Sequence, residues 1–384
     1  MDSNSQGATR SASGGTALAE TARDRAAVPT DADVAELPTV TVVLPVRHEA
    51  GHLGSLLDQL LAQDYPAGRL DIVIADGGWD EADDAGTRLA QEYAARWPER
   101  VRWVANPGRR SSAGRNAGLA AATGVWVVFV DGHCHLPGRR WLQASMQEAG
   151  KHGALCLSRP QPLVAPRGAG MQAVIARARA TRIAHGADST IYAAQARGWV
   201  NPSSAGAAYH RCLFAWAGNY DESFDACEDV EFNFRLARAG VRAWQCPEAV
   251  VYYAARSSLR SLWLQMVRYG RGRVRLAHKH AAARRLPQYL PALWLAGLPV
   301  AVLVPVFGPG GWRWLPGAAF GLYALVVLGY AVVLGWRHGW RHLWTAPGVY
   351  VTVHAGLGAG TWREMLSLLG RRQRSENCGW RSSL

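Results

Sequence analysis

Residues 39–49 read TVTVVLPVRHE, an unbroken apolar run that turns abruptly polar at Arg47, His48 and Glu49. Three runs of the same character follow: 70-LDIVIADG-77, 101-VRWVAN-106 and 125-VWVVFVDG-132. Branched aliphatic residues favour strands. Apolar residues fill consecutive rather than alternate positions, so both faces of each strand must be covered. That pattern predicts a mostly parallel sheet with helices on both faces, an α/β fold. The runs recur about every thirty residues, as β-helix-β crossovers require. The segments between them, 49–62, 82–96 and 111–123, have helical spacing or composition. In such sheets ligands lie beyond the carboxyl ends of the strands. Those ends carry Arg47, His48 and Glu49, then Asp76, Gly77 and Gly78, then Asp131, Gly132 and His133.

Outward from this core the character of the chain changes. Residues 1–37 contain no aromatic residue and are rich in small and polar ones. They bury too little apolar area to offset ordering entropy, so a disordered tail is expected and a secretory signal peptide is not. A helix is expected over 229-DVEFNFRLARAG-240, closed by a glycine, followed by a strand-like run, 241-VRAWQCPEAVVYY-253. Leu290–Gly311 and Ala318–Trp336 are free of charge and long enough to span a bilayer, with Trp312, Trp314, Trp336, Trp340 and Trp344 flanking them. A third stretch, Leu343–Trp362, contains His354 and several glycines and reads as re-entrant or interfacial. The strongly basic 268-RYGRGRVRLAHKHAAARR-285 precedes the spans, which places that side and the soluble domain in the cytoplasm. The expected organisation is a tail (1–37), an α/β domain (38–262), a basic interfacial segment (263–287), a transmembrane region (288–362) and a basic tail (363–384).

The 384 residues carry 42 Lys+Arg against 29 Asp+Glu, a formal charge of +13, with 17 Trp and only 18% charged residues. Disordered, collagen-like and disulfide-scaffold classes are excluded. Six cysteines without a CxxC pair leave no readable zinc ribbon or redox dithiol. Nucleic-acid binding is not expected, because the excess positive charge is concentrated beside the apolar spans.

Asp76 ends a strand ahead of Gly77-Gly78; it either forms a turn or accepts hydrogen bonds from a base or sugar. No GxGxxG follows the first strand, which weighs against an NAD or FAD enzyme. Asp131 and His133 are suited to a divalent cation that would offset diphosphate charge. Glu228 and Asp229 open a helix, either as capping residues or as the source of a general base. Gln265 and Arg268 share a helix face beside Tyr269, where an arginine fork suits a diphosphate.

In order, these elements resemble the inverting family 2 glycosyltransferases of the GT-A fold, and most of all the membrane-attached succinoglycan-type exopolysaccharide glucosyltransferases. The resemblance rests on VVLPVRHE (42–49), ADGGWD (75–80), GRNAG (114–118), VDGHCHLP (130–137), SSAGAAYHR (203–211), GNYDESFDACEDVEFNFRLARAG (218–240) and QMVRYGRGR (265–273). It implies that Pro45, Glu49, Asp76, Gly78, Arg115, Asn116 and Asp131 bind a nucleotide-sugar. Asp229 would be the catalytic base with Glu228 supporting it, and Asp131 with His133 would hold Mg²⁺ or Mn²⁺. Gln265, Arg268 and Tyr269 would match a QxxRW element at the diphosphate and acceptor. The chain departs from that pattern at His133, which replaces the second Asp of DXD, and at Tyr269, which replaces Trp. The implied reaction moves a sugar, glucose first, from a UDP-sugar to a hydroxyl of a lipid-linked saccharide at the cytoplasmic membrane, alongside other polysaccharide-assembly proteins. A polyprenyl-phosphate sugar synthase and a non-catalytic membrane-anchored binder are the alternatives.

Overall fold

The structure, a computed structural model, describes residues 36–81, 83–166, 170–185, 191, 196–204, 206–307 and 310–381. Residues 1–35, most of the expected N-terminal tail, lie outside the described residues. The chain forms two compact units: Met1–Pro162 with Ser189–Ala254, and Leu163–Asp188 with Ala255–Leu384.

The first unit is built on the four expected strands, β1 (Val40–Val46), β2 (Leu70–Asp76), β3 (Val101–Ala105) and β4 (Trp126–Phe129). β1 lies between β2 and β4 and runs parallel to both, and β3 pairs parallel outside β2. Short strands extend the sheet: β6 (Cys156–Ser158), β8 (Gly198–Val200), β9 (Gly206–His210) and β10 (Ala243–Gln245), in the order β3-β2-β1-β4-β9-β6-β10-β8. β9 is antiparallel to its neighbours β4 and β6, so the carboxyl end of β6 lies on the same edge as those of β1, β2 and β4. β5 (Cys134–His135) pairs antiparallel with β11 (Tyr252–Ala254) apart from this sheet.

Alternate side chains of each strand enter different cores. Val42, Leu44, Ile72, Ile74 and Val128 pack with Leu53, Leu56, Leu57 and Leu60 of α1 (Ala50–Leu61), Ala90 of α2 (Ala85–Arg96), and Trp141, Leu142 and Met146 of α4 (Trp141–Lys151). Val43, Val73, Val127 and Phe129 pack on the opposite side, with Leu119 of α3 (Ser111–Ala121), Leu213 and Phe214 of α7 (Cys212–Ala217), and Phe232 and Leu236 of α8 (Glu228–Arg238). This two-sided burial is what the consecutive apolar runs require. The strand-like run 241–253 is not continuous. Pro247, which has no N–H for a ladder, starts a 3₁₀ turn (Pro247–Ala249) between β10 and β11.

The second unit is helical apart from β7 (Leu163–Val164). It comprises α5 (Met171–Arg179), α6 (Arg182–His185), α9 (Leu259–Lys279), α10 (Leu290–Phe307), α11 (Leu315–His338) and α12 (Arg341–Arg381). Glycines allow α9 and α12 to touch backbone to backbone. A Cβ at Gly360 would come 2.1 Å from the Val267 carbonyl oxygen, and one at Gly270 would come 2.3 Å from that of Leu357. The third apolar stretch is therefore the first half of α12, with Val349, Tyr350 and Val353 wholly buried. Two helices, Leu286–Phe307 and Leu315–His338, are long and apolar enough to cross a membrane, and only 6% and 17% of their apolar windows are buried within the chain.

Helix α3 carries the tightest contact of the first unit. A Cβ at Gly118 would come 2.2 Å from Val43 Cγ1, and one at Gly114 would come 3.2 Å from Pro45 Cβ, so the helix lies directly on β1. Gly118→Val should lift α3 off the sheet and destabilise the unit by about 1–3 kcal/mol. Chemical denaturation of the purified protein measures this, and an unchanged midpoint would contradict it.

Candidate active site

The carboxyl ends of β1, β2 and β4 are brought side by side by register. Val46 pairs with Asp76, Val43 pairs with Phe129, and the Val130 N–H donates to the Val43 carbonyl at 3.0 Å. At the end of β2, Asp76 is buried and well supplied with donors. Its Oδ1 accepts from the Gly78 N–H at 2.8 Å, and its Oδ2 accepts from Thr87 Oγ1 at 2.6 Å and Trp103 Nε1 at 3.2 Å. The turn expected from Asp-Gly-Gly is therefore present, held by the carboxylate itself. Pro45, in β1 beside Ala75, meets the glycine face of α3.

Arg115 is the hub of the next cluster. Its position on α3, pressed against β1, brings Nη2 to 3.1 Å from Asp131 Oδ1 and Nε to 3.2 Å from Glu228 Oε1. The guanidinium also lies 5.2 Å from the Phe129 ring centre and 5.6 Å from that of Tyr220. Burial opposes the charge, but the neighbouring carboxylates Asp131 and Glu228 outweigh it and hold the arginine firmly protonated.

Glu228 and Asp229 form the first turn of α8, behind Cys227, which adopts a left-handed conformation (φ 65°) without a capping side chain. Glu228 is buried against Arg115, whereas Asp229 stays partly exposed. The Asp229 pKa is raised to about 6, first by burial of its surroundings and next by the charge of Glu228, against the pull of Arg115. Of the two acids, Glu228 is locked in an ion pair, while Asp229 holds a basicity suited to proton transfer near neutral pH.

His133 lies beyond β4, with Nδ1 at 2.8 Å from Glu49 Oε1 and its ring edge-on to Tyr253 at 4.4 Å. Its other nitrogen, Nε2, is buried and has no hydrogen-bond partner among the described residues. An imidazole nitrogen left open in this way, two residues from Asp131, fits a divalent cation completed by substrate oxygens. Among the described residues the one group of three donor side chains within mutual reach is elsewhere, at His48, Glu81 and Asp84. There both imidazole nitrogens face carboxylates, Nδ1 that of Asp84 and Nε2 that of Glu81 at 3.4 Å.

The remaining sequence-derived residues divide. Asn116 commits its amide to the 220–222 loop, donating to the Tyr220 carbonyl at 2.9 Å and Glu222 Oε1 at 2.8 Å and accepting from the Tyr220 N–H at 3.0 Å. Gln265, Arg268 and Tyr269 belong to α9 of the second unit. Gln265 Oε1 accepts from Arg179 Nη1 at 3.1 Å, and its Nε2 lies 3.4 Å from the Tyr269 hydroxyl. Sequence reasoning passed over Arg179, and also Arg159 at the end of β6. Arg159 is only 4% exposed, and its Nε and Nη1 have no hydrogen-bond partner among the described residues. An arginine directly after the apolar LCLS run was the one available signal for it.

A family model described as glycosyltransferase like family 2 matches residues 38–272. The succinoglycan biosynthesis protein ExoA of Rhizobium meliloti is 30% identical over 339 residues, 86% of this chain and 96% of the relative. A dolichyl N-acetyl-alpha-D-glucosaminyl phosphate 3-beta-D-2,3-diacetamido-2,3-dideoxy-beta-D-glucuronosyltransferase of Methanococcus voltae is 22% identical over 265 residues, 67% of this chain and 77% of its own. Among solved structures, the mannosyltransferase PcManGT from Pyrobaculum calidifontis, in complex with GDP-Man and Mn²⁺, matches 92% of this chain and 95% of its own. That match has a TM-score of 0.54 at 22% identity, a likeness of fold. A sheet whose polar carboxyl edge gathers Asp76, Asp131 and the Glu228-Asp229 pair is thus matched along most of its length: the chain is a member of the family 2 glycosyltransferases and has their GT-A fold.

Proposed function

We propose that this enzyme transfers a hexose, glucose in the first instance, from a UDP-sugar to a hydroxyl of a lipid-linked saccharide in exopolysaccharide or cell-envelope glycan synthesis, with inversion at the anomeric carbon. The observation that carries the reading is the pairing of an open, basic Asp229 with a Glu228 neutralised by Arg115. Asp229 takes the proton of the acceptor hydroxyl as its oxygen attacks opposite the departing UDP. Glu228 and Arg115 hold the start of α8 and the Asp131 carboxylate in place. Pro45, Asp76, Gly78, Arg115, Asn116 and Asp131 form the nucleotide-sugar region, with Asp76 setting the turn that contains Gly78. Asp131 and His133 Nε2 would hold Mg²⁺ or Mn²⁺, which when bound offsets charge on the leaving diphosphate. Gln265, Arg268 and Tyr269 recognise the diphosphate and acceptor.

The name of the ExoA relative supports the exopolysaccharide setting. The two long apolar helices, largely uncovered within the chain, support multi-pass attachment to the cytoplasmic membrane with the catalytic unit in the cytoplasm. An acceptor carried on a membrane lipid explains why a transferase would be tethered there, beside other polysaccharide-assembly proteins.

Asp229→Asn should lower turnover by about 10²–10⁴-fold in a UDP-release assay with membrane acceptor. The same variant should be no less stable at neutral pH. With a folded pKa of about 6 against an ordinary 3.8, the stability contribution of Asp229 is full below the ordinary value and lost as pH rises through the folded one. Near-normal turnover would remove the base assignment. In the wild type, turnover should fall as pH drops through about 6, because the base must be ionised, and this acid limb should vanish from the residual activity of Asp229→Asn. Chelation with EDTA should lower turnover by about tenfold or more, with recovery on adding Mn²⁺; activity indifferent to chelation would exclude the cation.

A further inference from the structure

We infer that Glu49 is a positioning residue for the cation rather than a contact to the nucleotide. It holds the His133 imidazole with Nδ1 protonated, so that Nε2 presents its lone pair. This rests on the cation reading above and assigns Glu49 a role different from the one implied by family resemblance.

Two observations and one general rule converge on it. The Glu49 Oε1 to His133 Nδ1 distance of 2.8 Å is a full hydrogen bond, and because a carboxylate only accepts, the proton resides on Nδ1. The opposite nitrogen, Nε2, is buried and without a hydrogen-bond partner among the described residues, the form in which imidazole binds a metal. A carboxylate behind a ligating histidine fixes ring orientation and raises ligand basicity.

The backbone is shaped around this contact. A Cβ at Gly132 would come 3.0 Å from Glu49 Cγ and 3.2 Å from its Cβ, so the residue between Asp131 and His133 is the floor on which the glutamate rests. Glu49 reaches that floor from the N-terminus of α1, where its carbonyl accepts from the His52 and Leu53 N–H groups. The ring is also met edge-on by Tyr253, and the His133 backbone is fixed by its carbonyl, which accepts from the Ala254 N–H at 3.3 Å. Glu49 and Tyr253 thus hold the ring while Nε2 is left without a partner among the described residues. Imidazole in place of a second carboxylate also shifts the donor set toward Mn²⁺ and away from Mg²⁺, which prefers oxygen ligands.

The test measures metal and nucleotide separately, on the full chain purified in detergent. Mn²⁺ uptake is followed by loss of the free-Mn²⁺ EPR signal at saturating UDP, and UDP affinity is measured by calorimetry in EDTA. Glu49→Ala should weaken Mn²⁺ binding by about 10–100-fold while leaving metal-free UDP affinity and the unfolding temperature unchanged. Glu49→Gln, whose amide oxygen can still accept from Nδ1, should recover most of that loss. Gly132→Ala, which displaces the glutamate without removing it, should weaken Mn²⁺ in the same direction. Wild-type Mn²⁺ affinity in Glu49→Ala would overturn the inference, as would a loss of UDP affinity in EDTA, which would make Glu49 a nucleotide contact. If the wild type takes up no Mn²⁺ with UDP, the cation reading itself fails and this assignment with it.

Discussion

The site depends on one buried guanidinium. Arg115 joins by charge three stretches of chain that also share an apolar core: its own helix α3, the loop after β4 through Asp131, and the start of α8 through Glu228. Removing this arginine is costly, about 3–5 kcal/mol, because the carboxylates it pairs with are left uncompensated. The arginine is also cushioned by the Phe129 and Tyr220 rings, so its position is set by packing as well as by charge. It can occupy that place because α3 is pressed against β1 at Gly114 and Gly118. Side chains at those two positions would hold the helix, and the charge with it, away from the sheet.

The central sheet was legible because its strands are apolar on both faces, a pattern that admits few alternatives. Burial of Val42 and Leu44 in one core and Val43 in the other is the same statement in three dimensions. The polar residues at the strand ends could be read as a ligand edge for the same reason. What could not be read was pairing across long separations. Arg115 and Glu228 are 113 positions apart, and Glu49 and His133 are 84 apart; nothing local in either segment signals the partner. The same holds for Asn116, whose amide bonds the Tyr220 backbone and Glu222, 104 and 106 positions away. The run 241–253 misled through propensity, since one proline outweighs its branched and aromatic neighbours.

The helical unit adds a second device to its apolar cluster, glycine contacts between helices. Gly270, Gly356 and Gly360 permit backbone contacts between α9 and α12 that any side chain would block. This is the small-residue packing by which helices associate without a hydrophobic driving force. The 343–362 stretch is apolar enough to suggest the bilayer, yet its glycines commit it to α9. Buried Glu364 farther along α12 adds to that commitment by accepting from Arg271 at 2.8 Å and Arg275 at 2.7 Å. The charge that makes α9 look like a lipid-facing belt is thus partly used inside the unit.

Adjacent acids at the start of α8 acquire different chemistry through helix geometry alone. Successive residues on a helix project about 100° apart, so a helix that turns Glu228 toward Arg115 must turn Asp229 elsewhere. Three carboxyl groups, Asp131, Glu228 and Asp229, surround Arg115, and the Asp229 pKa rises to about 6, first through burial and next through the charge of Glu228, against the pull of Arg115. Such a cluster is poorly suited to receiving a diphosphate, which would add negative charge beside carboxylates already in excess. Any donor bound there needs further positive charge. Buried Arg159, whose Nε and Nη1 have no hydrogen-bond partner among the described residues, is one source of it in this unit, and a cation at His133 Nε2, as proposed above, would be another.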